Sequence, residues 1–148
     1  MKTGTRIRSL PAVLLLNMAI TLLAAEKQIG GPKGGRLLEN EAPRAEFFVE
    51  KDRAVTITFY DKALKPVPPA EQVVTAIAET KKSKAKLEFE KKGGALLSRT
   101  PLPEGDGYTV VVQIKARVEA KAHNFRIKYD TSTCRKCKRV EYACICDE

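Results

Sequence analysis

The feature that most constrains this chain is a two-residue apolar period that begins at Val55 and recurs as far as Tyr129. In 54–60, Val55, Ile57 and Phe59 alternate with Thr56, Thr58 and Tyr60, the pattern of a strand with one face in a core. The longest instance is Tyr108–Glu119. There Tyr108, Val110, Val112, Ile114, Ala116 and Val118 fall on one face, and Thr109, Gln113, Lys115, Arg117 and Glu119 on the other. His123–Tyr129 repeats the pattern with Phe125, Ile127 and Tyr129, and the short gap before it predicts a hairpin between the two strands. Ala45–Glu50, Glu71–Glu79, Lys86–Glu90 and Ala95–Arg99 are shorter candidates. The intervals hold Pro66, Pro68, Pro69, Gly93, Gly94, Pro101, Pro103, Gly105 and Gly107, which are turn residues. About seven antiparallel strands spaced by roughly 8–12 residues predict an all-β fold, an immunoglobulin-like antiparallel β-sandwich over 45–130. Residues 26–44, with Gly30-Gly31-Pro32-Lys33-Gly34-Gly35, read as a Gly-rich leader.

Residues 1–25 read as an address. Lys2, Arg6 and Arg8 precede an apolar run over 10–23, and Ala24-Ala25 lies just before Glu26. A basic start, a short apolar core and a small-residue exit describe a secretory signal peptide cleaved near Ala25. The run is shorter than the ~20 residues of a membrane-spanning helix. Such cleavage removes three cations and no anion from a formal charge of +9. An exported, periplasmic or secreted protein does not meet genomic nucleic acid, so the basic balance is not read as a nucleic-acid signal.

Chemistry is concentrated in residues 131–148, a Cys-rich tail. Cys134, Cys137, Cys144 and Cys146 follow a C-x2-C-x6-C-x-C spacing. A C-x2-C turn aims two sulfurs at one centre, and the six-residue link is long enough to return a second pair to it. Four thiolates suit Zn(II), and soft thiolates also suit Cu(I). Arg135, Lys136, Lys138 and Arg139 would offset the charge of such a centre. Two disulfides among the same four residues are the alternative in an oxidising compartment, with three connectivities open. Bridges would then cross between the pairs, because a Cys144–Cys146 bond is strained. A redox C-x2-C is a third option, but it lacks a βαβ setting.

The rest of the chain carries little chemistry. His123, the one histidine, reads as a strand residue, with a fifth-donor role as its sharper alternative. The run Lys81–Lys86 reads as a solvated hairpin loop, with weak contact to an anionic membrane surface as its alternative. Glu104 and Asp106 lie in a Pro/Gly turn and do not form a catalytic pair. With one histidine and no Ser-His-Asp or phosphate-loop pattern, the chain is expected not to be an enzyme.

Gly34-Gly35-Arg36-Leu37-Leu38, Ala45-Glu46-Phe47-Phe48-Val49, Val55–Asp61 and Lys65-Pro66-Val67 together resemble a known module. It is the small β-sandwich of periplasmic adaptor subunits of heavy-metal RND efflux systems and of small exported companion proteins. The resemblance covers about Lys33–Val67, with Pro103–Ile114 as a looser second piece. It implies an envelope metal context and efflux components as partners. Histidines that often occur in that module are replaced here by Lys33 and by Arg44-Ala45, so the cysteine tail would have to supply the metal ligands.

Overall fold

A computed structural model describes residues 29–38 and 44–146; the expected signal peptide over 1–25 lies outside them. Ten strands follow in chain order: β1 (Ile29–Gly30), β2 (Arg36–Leu38), β3 (Arg44–Val49), β4 (Val55–Tyr60) and β5 (Pro66–Val67), then β6 (Val73–Glu79), β7 (Lys84–Lys92), β8 (Ala95–Ser98), β9 (Tyr108–Lys115) and β10 (His123–Tyr129). Among the described residues the only helical piece is a 3-10 turn at Glu141–Ala143.

The strands form one antiparallel sheet in the order β1-β2-β3-β4-β8-β7-β6-β9-β10, with β5 beside β8 on the same edge of β4. Expected as about seven strands in a two-sheet sandwich, the chain instead makes a continuous sheet that curls into a half-barrel. The reason lies in β7. Its first half, Lys84–Glu88, pairs with β6, and its second half, Phe89–Lys92, pairs with β8. One nine-residue strand therefore serves both arms, and twist accumulated along it turns them toward each other.

Both arms point their alternate residues at one core. Leu38, Ala45, Phe47, Val55, Ile57 and Phe59 come from one arm. Val74, Ala76, Ala78, Leu87, Val110, Val112 and Ile127 come from the other. β9 shows the expected period two throughout, buried at Tyr108, Val110, Val112 and Ile114. In β4 every residue is buried, so its Thr face is covered as well as its apolar face.

Two expectations change. The Gly-rich stretch 26–44 contributes β1 and β2 to the sheet, joined by a turn in which Gly31 N–H donates to Gly35 O (2.8 Å). β9 stops at Lys115, where its neighbour β6 also runs out, since Val73–Lys115 is the last pair between them. Beyond that point the chain has no strand partner on that side; Ala116–Ala122 turns away and Val118, expected inward, is 65% exposed. The tail packs against the sheet, a point the sequence left open. Tyr142 and Ala143 are buried and belong to the core.

Candidate metal centre

The tail folds back along its own stem. Thr133 and Val140 form an antiparallel bridge, Cys134 N–H donates to Arg139 O (2.8 Å) and Lys138 N–H donates to Cys134 O (3.0 Å). Lys138 closes this tight knuckle in the left-handed region at φ +61°. The chain then runs beside Asp130–Ser132, with Glu141 N–H donating to Ser132 O and Tyr142 N–H to Asp130 O. The stem itself is pinned, because Asp130 Oδ1 accepts from Ser132 N–H and Oγ–H. Those two bonds hold the Asp130 carboxyl below the usual carboxylate range.

Between the two cysteine pairs, the 3-10 turn pushes Tyr142 into the mouth of the half-barrel. Its ring packs edge-on to Phe47 at 5.8 Å between centroids and lies 5.7 Å from Tyr129, which in turn lies 5.1 Å from Tyr108. Val49 N–H donates to the Tyr142 hydroxyl (3.1 Å). This aromatic column fixes where the turn sits, and hence where Cys137 and Cys144 meet.

All four sulfurs lie within 4.8 Å of one another. Cys134 and Cys146 Sγ are 3.8 Å apart, and Cys137 and Cys144 Sγ are 3.6 Å apart. The four cysteines are free thiols. Sulfurs about 2.3 Å from one zinc ion at tetrahedral corners stand about 3.8 Å from each other. The two closest separations therefore match opposite edges of an S4 tetrahedron.

Backbone amides converge on the same sulfurs. The N–H groups of Ile145 and Arg139 point at Cys137 Sγ and lower its pKa to about 6. Cys146 N–H donates to Cys144 Sγ (3.4 Å) and favours its thiolate, but the protons shared with Cys134 and Cys137 and partial burial outweigh it, and the thiol is pushed up to about 12. Burial and the thiols of Cys137 and Cys134 raise Cys146 as well. Cys137 is thus favoured as thiolate, whereas Cys144 and Cys146 are favoured as thiols. A bound cation would displace those protons.

Among the described residues the donor cluster contains the four cysteines and no others. His123 is not a fifth ligand. It opens β10 opposite Ile114, and the tail leaves from the other end of that strand, about 20 Å away at the usual rise per residue. The Lys81–Lys86 run forms the turn between β6 and β7 and the start of β7, where Lys84 pairs with Glu79 (2.9 Å) and Lys86 with Glu88 (3.3 Å).

One polar site had no counterpart in the sequence reading. Glu46 is fully buried, and its carboxylate accepts from Lys33 N–H (3.0 Å), Gly35 N–H (2.8 Å) and Tyr60 O–H (2.6 Å). A Cβ at Gly31 would overlap that carboxylate, so the Gly-rich turn is shaped around it. The available signal was an acid inside an apolar strand (Ala45-Glu46-Phe47) near a Gly-rich turn. Comparison of the chain with protein-family models, with curated proteins and with solved structures finds no match.

Proposed function

We propose that the protein is a non-catalytic, exported cell-envelope protein whose Cys134, Cys137, Cys144 and Cys146 hold one metal ion in heavy-metal handling. The observation that carries the reading is the single cluster of four free sulfurs within 4.8 Å. Tetrahedral S4 chemistry favours Zn(II), with Cu(I) the softer alternative. The signal-like residues 1–25 support export, and the likeness to efflux-adaptor modules supports the envelope metal role and efflux components as partners.

Mass spectrometry of the native protein tests this. One metal ion per chain is expected, with four alkylatable thiols after chelation and an N-terminus near Glu26. A metal-free protein with two disulfides would overturn the metal role. The contact pairs give that second reading a specific form, Cys134–Cys146 and Cys137–Cys144. An uncleaved N-terminus in the cytoplasm would overturn the export reading.

A further inference from the structure

Where the knuckle meets the turn between β3 and β4, an open groove of about 730 Å³ is left beside the aromatic column. Its body is apolar, with Phe48, Val49, Tyr129, Val140 and Tyr142 on the walls. Four cations line it from two directions: Lys51 and Arg53 from the β3–β4 turn, Lys138 and Arg139 from the knuckle. The two acids in the lining are already engaged. Glu50 accepts from Thr56 Oγ–H (2.7 Å), and Asp106 accepts from Thr131 Oγ–H (2.9 Å) and N–H (3.3 Å).

The two arginines are held rather than merely present. Arg53 O accepts from Leu102 N–H (2.9 Å), and Arg53 Nε donates to Leu102 O (3.2 Å). Its further pairing with Glu104 is long, at 3.5 Å, and that acid is 86% exposed, so little of the guanidinium charge is spent there. The Arg139 guanidinium lies flat on Gly30, where a Cβ would come within 2.6 Å of it, and its Nη1 is buried without a hydrogen-bond partner. Arg53 at φ +66° and Lys138 at φ +61° both sit in the left-handed region. Gly or Asn would adopt that region more readily. Among the described residues, two of the three non-glycine positions with positive φ thus line one groove, and strain of this kind collects at binding sites.

We propose that this groove binds a small organic anion, a carboxylate or phosphate monoester that carries an apolar body. The body would lie against Tyr142 and Val140 in a site of ordinary ligand size. The head would take charge-assisted hydrogen bonds from the arginines. The proposal goes beyond the metal reading. The plain alternative is that Lys138 and Arg139 only offset the charge of the neighbouring thiolates.

Amide-resolved NMR titration of the full chain, its metal content measured beforehand, separates the two. Octanoate supplies head and body, 1-octanol the body alone, and inorganic phosphate the charge alone. Saturable octanoate shifts at 51–53 and 138–142 are expected, with octanol and phosphate each weaker by about tenfold or more. Arg53→Asn with Lys138→Asn keeps residues that tolerate the left-handed region while removing two charges, and should weaken octanoate by about tenfold. Octanol binding as tightly as octanoate, shifts elsewhere on the molecule, or an unaffected double variant would each overturn the anion site. Because the ligand comparison uses the unmodified chain, it decides the matter even where the variant fails to fold. A sample that holds no metal, carries two disulfides and still binds octanoate would overturn the metal reading alone.

Discussion

Glu46 shows how one buried carboxylate can organise a turn that has almost no side chains of its own. The β1–β2 connection offers N–H groups at Lys33 and Gly35, and without an acceptor the Gly35 N–H would be buried unsatisfied. Glu46→Gln keeps the shape and one acceptor oxygen, and Tyr60 can rotate its hydroxyl to accept from the new amide. A loss of about 1 kcal/mol is expected. Glu46→Ala leaves three donors facing no acceptor and adds a cavity, so about 3 kcal/mol or more should be lost. Urea unfolding of both variants checks the order. A larger loss for Gln than for Ala would show that the carboxylate is not what holds the turn.

At the scale of elements, the tail turn and the barrel mouth stabilise one another. Tyr142 is 5% exposed and touches both Phe47 of β3 and Tyr129 of β10, so it bridges strands from opposite arms of the sheet. Tyr142→Ala should cost about 3 kcal/mol through lost burial and cavity formation. Tyr142→Phe removes only the acceptor for Val49 N–H and should cost about 1 kcal/mol. Thermal denaturation of the pair measures the split. Equal losses would mean that the hydroxyl, not the ring, carries the contact. β9, β10 and β4 follow directly from their alternation in the sequence. The Tyr142 turn does not, because a single Tyr between two cysteines has no period from which a buried face can be read.

For the whole molecule, metal and core are expected to be linked. The four sulfurs lie on both sides of the turn that inserts Tyr142, so an ion held by them restrains the same segment that closes the barrel mouth. Removing it with a chelator should lower the melting temperature and weaken the near-ultraviolet circular dichroism. With no tryptophan in the chain, that signal is dominated by tyrosines, three of which stack in the column around Tyr129. Restoring zinc should return both. Binding only the folded form stabilises it in proportion to the logarithm of ligand concentration over Kd. If chelation left both signals unchanged, the sulfurs and the core would be independent.

Local pattern alone determined the strand-rich character of the chain, its antiparallel pairing and the four residues with metal-ligand chemistry. Each depends on a spacing of one to six residues that can be seen without knowing what lies opposite. Tertiary structure decided what depends on distant partners. It joined the strands into one curled sheet, because β7 pairs with β6 along one half and β8 along the other. It drew the Gly-rich segment into the sheet, because Glu46 accepts from that segment's turn. It ended β9 at Lys115, because β6 ends there. It also brought all four sulfurs within 4.8 Å of one another as free thiols, a convergence that the spacing allows but does not impose. That convergence follows from the burial of Tyr142, which sets the path of the chain between Cys137 and Cys144.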